Sequence, residues 1–91
     1  AYFVSEGGGV FAYLKGKGSY PVDLSLDKLM TELDPKKFFR INRKILVGIN
    51  GIGEIYVYPK SRLKLDLNPK FYEEVFVSLD KVTSFKRWLD Q

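Results

Sequence analysis

Nine consecutive residues concentrate the side chains best suited to chemistry on a polyanion. Lys36-Lys37-Phe38-Phe39-Arg40-Ile41-Asn42-Arg43-Lys44 contains five cations and no acid. An arginine fork or an asparagine carboxamide matches the two-point hydrogen-bonding edges of guanine and adenine, whereas a lysine ammonium is a point charge suited to phosphate. Asn42 and Arg43 are therefore the candidate base readers, and Lys44 is a candidate phosphate contact. Phe38, Phe39 and Ile41 interrupt the charges and are expected in the core, so the cations project from an anchored backbone. By composition alone the same stretch also describes a solvated basic loop.

Two further basic groups follow. Lys60, Ser61, Arg62 and Lys64 flank a turn, and Lys81, Lys86 and Arg87 fall on a C-terminal helix. Arg62, Lys64 and Lys81 are candidate phosphate contacts, with Lys60 and Ser61 beside them. If these groups lie next to the first segment, the surface suits a nucleic-acid groove; if not, they are ordinary solubility charges. The net charge of +4 is unevenly spread: Ala1 to Pro35 has three bases against five acids, and the remainder twelve against six. Such asymmetry favours an anionic polymer as partner. Gly7-Gly8-Gly9 makes Gly8 and Gly9 candidates for backbone contact with phosphate, although the Gly-Lys-Ser/Thr ending and following helix of a P-loop are missing.

Enzymatic readings are poorly served. The chain has neither cysteine nor histidine, which removes disulfides, thiolate chemistry, zinc sites of the Cys/His kind and triads with an imidazole base. Glu73 and Glu74 are adjacent, so in a strand they face opposite ways and cannot share a proton. Asp23 and Asp27 are explained by a helix N-terminus. No catalytic residue, metal or cofactor is expected.

The elements that must position the basic segment can be read from periodicity. Ala1–Ser5, Val10–Leu14 and Ser19–Leu24 read as three strands of a meander separated by glycine turns, with Pro21 confining the third to an edge or bulge. At Ser25 the period changes: Leu26, Leu29, Met30 and Leu33 share a helical face, Ser25 is the natural N-cap, and Asp34-Pro35 ends the helix. Ile45–Ile49 and Ile52–Tyr58 flank Asn50-Gly51, a favoured two-residue hairpin turn. Arg62–Leu67 alternates strictly, with Leu63, Leu65 and Leu67 on the buried face, and Phe71–Val77 is a last extended run. Ser78 is read as the start of a second helix with Leu79, Val82, Phe85 and Leu89 on its inner face and Trp88 at the edge. The expected class is mostly β, small antiparallel sheets with two short helices.

At 91 residues the chain holds one domain, and 45% hydrophobic with 29% charged residues suffices for a core. No apolar run approaches a membrane span and Ala1–Gly9 has no signal-peptide pattern, so no membrane and a cytoplasmic location are expected.

Asp34-Pro35-Lys36-Lys37-Phe38-Phe39-Arg40-Ile41-Asn42-Arg43-Lys44-Ile45-Leu46-Val47 resembles the LytTR family of DNA-binding domains. The likeness extends over nearly the whole chain: Tyr2–Gly7 is similar to the family's opening strand and acidic turn, Ser61–Leu65 to a later strand, and Val77-Ser78 with Val82 and Phe85 to its close. The resemblance implies a LytTR-like β domain over 1–91. It implies sequence-specific binding of promoter duplex DNA through loops in the major groove, as the output of a bacterial two-component response regulator. It also implies repeated half-sites, a homodimer on DNA, and a receiver domain that belongs to the full-length protein but is absent from this chain. Asn42 occupies the position of a usual histidine, Lys44 that of a serine and Leu79 that of an arginine, with Lys81 near enough to supply the lost cation. Gly8 and Gly9 replace a polar or aromatic pair.

Two functions of other classes fit the same residues. The edge strand Ser19–Leu24 could pair with a protein partner, insensitive to salt, and Phe11, Tyr13, Tyr56 and Tyr58 could stack on single-stranded nucleic acid.

Overall fold

Side chains alternate across each strand, and that rule sorts the apolar residues onto two sides of a sheet. The computed structural model describes residues 1–91. Its first sheet contains β1 (Tyr2–Glu6), β2 (Gly9–Leu14), β3 (Gly18–Val22), β4 (Phe38–Arg40) and β5 (Ile45–Gly48) in the antiparallel order β3-β2-β1-β5-β4. The second contains β6 (Ile52–Tyr58), β7 (Arg62–Leu67) and β8 (Val75–Phe76) in that order. Helix α1 (Leu26–Glu32) and helix α2 (Val82–Leu89) complete the chain.

One face of the first sheet supplies Tyr2, Val4, Ile45 and Val47 to the main core, where they meet Leu63, Leu65 and Val75 of the second sheet and Val82, Phe85 and Trp88 of α2. The opposite face supplies Val10 and Leu46 to Leu26 and Leu29 of α1. The fold is therefore a helix, a five-stranded sheet, and a second layer of three strands plus α2. Each buried aliphatic side chain contributes about 1.5–3 kcal/mol. β4 straddles both cores: Phe39 packs on Phe85 and Trp88, while Phe38 and Arg40 face α1. Ile41, immediately after it, is fully buried.

Local signals for α1 hold. Ser25 Oγ accepts the Lys28 N–H at 3.1 Å, and Leu26 and Leu29 are buried. Met30, expected on the inner face, is 45% exposed. β3 is the outer strand of its sheet, as Pro21 requires.

Four expectations need correction. β5 and β6 form no hairpin across Asn50-Gly51, because both edges of β5 are already taken by β1 and β4; Ile49–Gly51 is a 3-10 turn that carries the chain to the other sheet. Gly51 is required for closeness, since a Cβ there would collide with the Ala1 carbonyl. The run Phe71–Val77 shortens to Val75–Phe76, and Phe71 instead packs edge-on against Tyr2 and Tyr13. Glu73 and Glu74 accordingly lie outside any strand. Ser78 opens the helical segment without a side-chain cap: its N–H donates to Ile41 O at 2.8 Å, the first turn, Leu79–Lys81, is 3-10, and α2 starts only at Val82. Val82 and Phe85 are buried as expected, Trp88 is buried with them and not at the edge, and Leu79, in the 3-10 turn, is 63% exposed.

The Glu6 carboxylate ties the β1–β2 hairpin to the segment before β8, accepting the hydroxyls of Tyr13 at 2.8 Å and Tyr72 at 2.6 Å. The Tyr72 bond, with a smaller one from Tyr13, holds Glu6 below its usual pKa of 4.5. Burial, followed by the Glu6 bond, raises Tyr13 to about 12.

Gly51→Ala should destabilise the domain by about 1–3 kcal/mol in urea unfolding, as overpacking against the Ala1 carbonyl. Because the folded Glu6 pKa is depressed, its stabilisation is complete above the usual 4.5 and fades as pH falls through the lowered value. The urea midpoints of the native chain and Glu6→Ala should therefore converge in acid and separate at neutral pH.

Candidate nucleic-acid interface

Arg40 organises the basic segment. β4 pairs it with Leu46 on the α1 face, where Nη1 donates to Asp27 Oδ1 at 2.9 Å. Nε donates to the Asn42 carbonyl at 2.9 Å and Nη2 to the Arg43 carbonyl at 2.6 Å. Asp27 is 91% exposed, so the ion pair alone is worth little. The two carbonyl bonds matter more, because a planar fork holding consecutive carbonyls fixes the path of the following loop.

Asn42 closes the loop from within. Its Oδ1 accepts the N–H groups of Lys44 at 2.8 Å and Ile45 at 2.9 Å, an Asx turn, and its Nδ2 donates to Phe76 O at 2.8 Å. Arg43, between these pinned residues, is exposed and its guanidinium has no protein partner. It lines a cavity of about 350 Å³ with Asp27, Arg40, Ser78, Asp80 and Lys81.

The same joint leads to the β6–β7 turn. The Phe76 ring carries the Arg62 guanidinium 4.2 Å from its centroid and the Tyr58 ring edge-on at 5.8 Å. Pro59–Ser61 forms the turn, with Lys60 and Ser61 both left-handed at φ 65° and 63°. On the other side, Gly8 and Gly9 wall a groove of about 720 Å³ that includes Asp23, Asp27 and Arg40. Groove and cavity share Asp27 and Arg40, so Gly8, Gly9, Arg43 and Lys81 follow one concave surface.

A family model described as LytTr DNA-binding domain matches residues 1–90. The chain belongs to the LytTr DNA-binding domain family. Among solved structures it is similar to the LytTr DNA-binding domain of a Bacillus cereus protein described as a methyl-accepting/DNA response regulator. The identity is 22%, the TM-score 0.82, and the match covers 99% of this chain and 80% of that one. No curated protein matches. The mostly-β fold of two antiparallel sheets with two helices is thus the LytTr fold, and its family activity is DNA binding.

Within this LytTr domain the candidate residues separate into groups. Gly8, Gly9, Arg43 and Lys81 share the concave surface, whereas Lys60, Ser61 and Arg62 lie at the β6–β7 turn outside it, with Arg62 stacked on Phe76, whose carbonyl Asn42 holds. Lys44 turns away: its Nζ is 2.8 Å from Glu73 Oε1, a bond that raises its pKa, and lies 5.7 Å from the Phe71 centroid. Lys64 is paired with Glu74 at 3.3 Å, which likewise raises its pKa. Asn42, expected to meet a base, uses its side chain on the backbone. Tyr13 is stacked on Tyr2 at 4.8 Å and bonded to Glu6, so it offers no free stacking platform.

Sequence reasoning gave Arg40, Asp27 and Phe76 no site role. The available signal was an arginine at the end of an otherwise apolar Phe-Phe pair, a position where a cation needs a nearby acid. The acid is 13 residues upstream on α1.

Asn42→Ala strands two backbone N–H groups and a carbonyl, and should cost about 1–3 kcal/mol in urea unfolding. Amide hydrogen exchange at Lys44 and Ile45 should accelerate, because these are the N–H groups held by Oδ1.

Proposed function

We propose that this LytTr domain binds duplex DNA sequence-specifically at promoters, as the output domain of a bacterial two-component response regulator in the cytoplasm. Arg43 reads a base edge from the major groove. The observation that carries this reading is the contrast at Arg43: an unpaired guanidinium stands on a backbone that Arg40 and Asn42 hold at both of its sides. Such preorganisation lowers the ordering cost of placing a bidentate donor against guanine.

Lys60, Ser61, Arg62 and Lys81 are assigned to phosphates, with Gly8 and Gly9 offering backbone at the other end of the concave surface. Two consecutive left-handed residues without glycine, Lys60 and Ser61, store backbone strain, as do many contact turns. Lys44 and Lys64 are assigned only secondary electrostatic roles, since each is neutralised by a glutamate. Neither helix supplies the base-reading residue, which makes this a loop-based mode of recognition. Paired domains on repeated half-sites, and a receiver domain in the full-length protein, complete the proposal.

Selection of bound sites from a random duplex pool, followed by anisotropy titrations, tests the reading. Arg43→Ala should cost about 1–3 kcal/mol on the selected site and less on random duplex. Lys44→Ala should cost under about 1 kcal/mol on either. Equal loss on both duplexes would assign Arg43 to phosphate, and salt-insensitive binding to protein with none to duplex would reject the proposal. Removing Lys60, Arg62 or Lys81 should lower the salt slope by about 0.9 each.

A further inference from the structure

A second cavity, of about 330 Å³, opens between α1, β4 and α2. Its volume lies in the range of small-molecule sites. Leu33, Phe38, Phe39 and Trp88 form its apolar walls, and no acid lines it. Its two charged residues differ in their commitments. The Arg40 guanidinium is engaged by Asp27 and two loop carbonyls. The Lys81 ammonium is in none of the four ion pairs of the domain and makes no side-chain hydrogen bond; only its backbone N–H is used, donating to Ser78 O.

An apolar cleft lined by one lysine that has no ion-pair partner selects a monoanion carrying an apolar body. A neutral hydrocarbon would leave the ammonium unused, and a compact dianion would leave the aromatic walls wet. We propose that this cleft binds a small amphiphilic carboxylate of the medium-chain type, its tail against Phe39 and Trp88 and its head on Lys81, and that occupancy weakens DNA binding.

The coupling follows from a shared wall. Met30, Arg40 and Lys81 line both this cleft and the cavity at Arg43. A carboxylate on Lys81 removes a cation from the outer surface and places a negative charge beside Arg40, in competition with Asp27 and the carbonyls that hold the Arg43 loop. This second part rests on the DNA contacts proposed above; the binding site itself does not.

Trp88 is the single tryptophan of the chain and lines the cleft, so its emission reports occupancy without any DNA. Decanoate, titrated below its micelle concentration, should change that emission saturably. Affinity should fall about fivefold or more for 1-decanol and for Lys81→Gln, the scale of losing one exposed charge pair. Leu33→Phe, which fills the cleft with an apolar group, should abolish the response while the variant still unfolds cooperatively in urea. No saturable change, or equal binding of the alcohol and the acid, overturns the site. Saturating decanoate should then weaken the selected duplex by about fivefold. Unchanged DNA affinity overturns the coupling, and a domain that bound decanoate but no DNA would overturn the proposed function while sustaining the cleft.

Discussion

The guanidinium of Arg40 is the constraint on which the candidate interface depends. It stands at the end of a three-residue edge strand, with one nitrogen on the helix carboxylate Asp27 and two on the carbonyls of Asn42 and Arg43. A lysine could not make these three bonds in fixed directions, because its donors rotate about a single point. The result is a short loop whose backbone is held while the side chain at its centre remains free. Flexible loops bear an ordering cost on binding, and this arrangement removes much of it beforehand.

Packing of β4 on both faces makes that clasp rigid. Phe39 contacts Phe85 and Trp88 on one side, Phe38 lies against Phe3 on the other, and Trp88 donates its indole N–H to Pro35 O at 3.0 Å. The strand thus cannot slide without disturbing two cores. Asn42 then carries the constraint into the second sheet through Phe76, and Phe76 carries it to Arg62 and Tyr58 by ring contacts. Positive charge from two distant stretches of chain, the Arg40–Arg43 segment and Arg62, is therefore supported by one continuous set of contacts.

The strands and helices were largely legible because their signals are local. Ser25, Asp34-Pro35 and the Leu63-Leu65-Leu67 alternation each act over a few residues, and each behaves as those rules require. The hairpin expected at Asn50-Gly51 failed because turn propensity describes what a dipeptide permits, whereas strand pairing depends on which sheet edges are vacant. On α2 the inner positions Val82 and Phe85 are buried as their spacing requires, whereas Leu79 lies in the 3-10 turn after Ser78, which is bonded to Ile41, and stays exposed.

Sequence by itself determined the β-rich class, the buried face of most elements, the basic character of Lys36–Lys44 and the family to which the chain belongs. Tertiary structure alone decided which of those polar groups remain available. Asn42 meets Phe76 across 34 positions and Lys44 meets Glu73 across 29, so both are occupied by partners that no local pattern reveals, and Arg43 is left free. The physical reason is that residue type specifies which bonds a side chain can make, while only the folded chain brings donors and acceptors within the roughly 3 Å at which those bonds form.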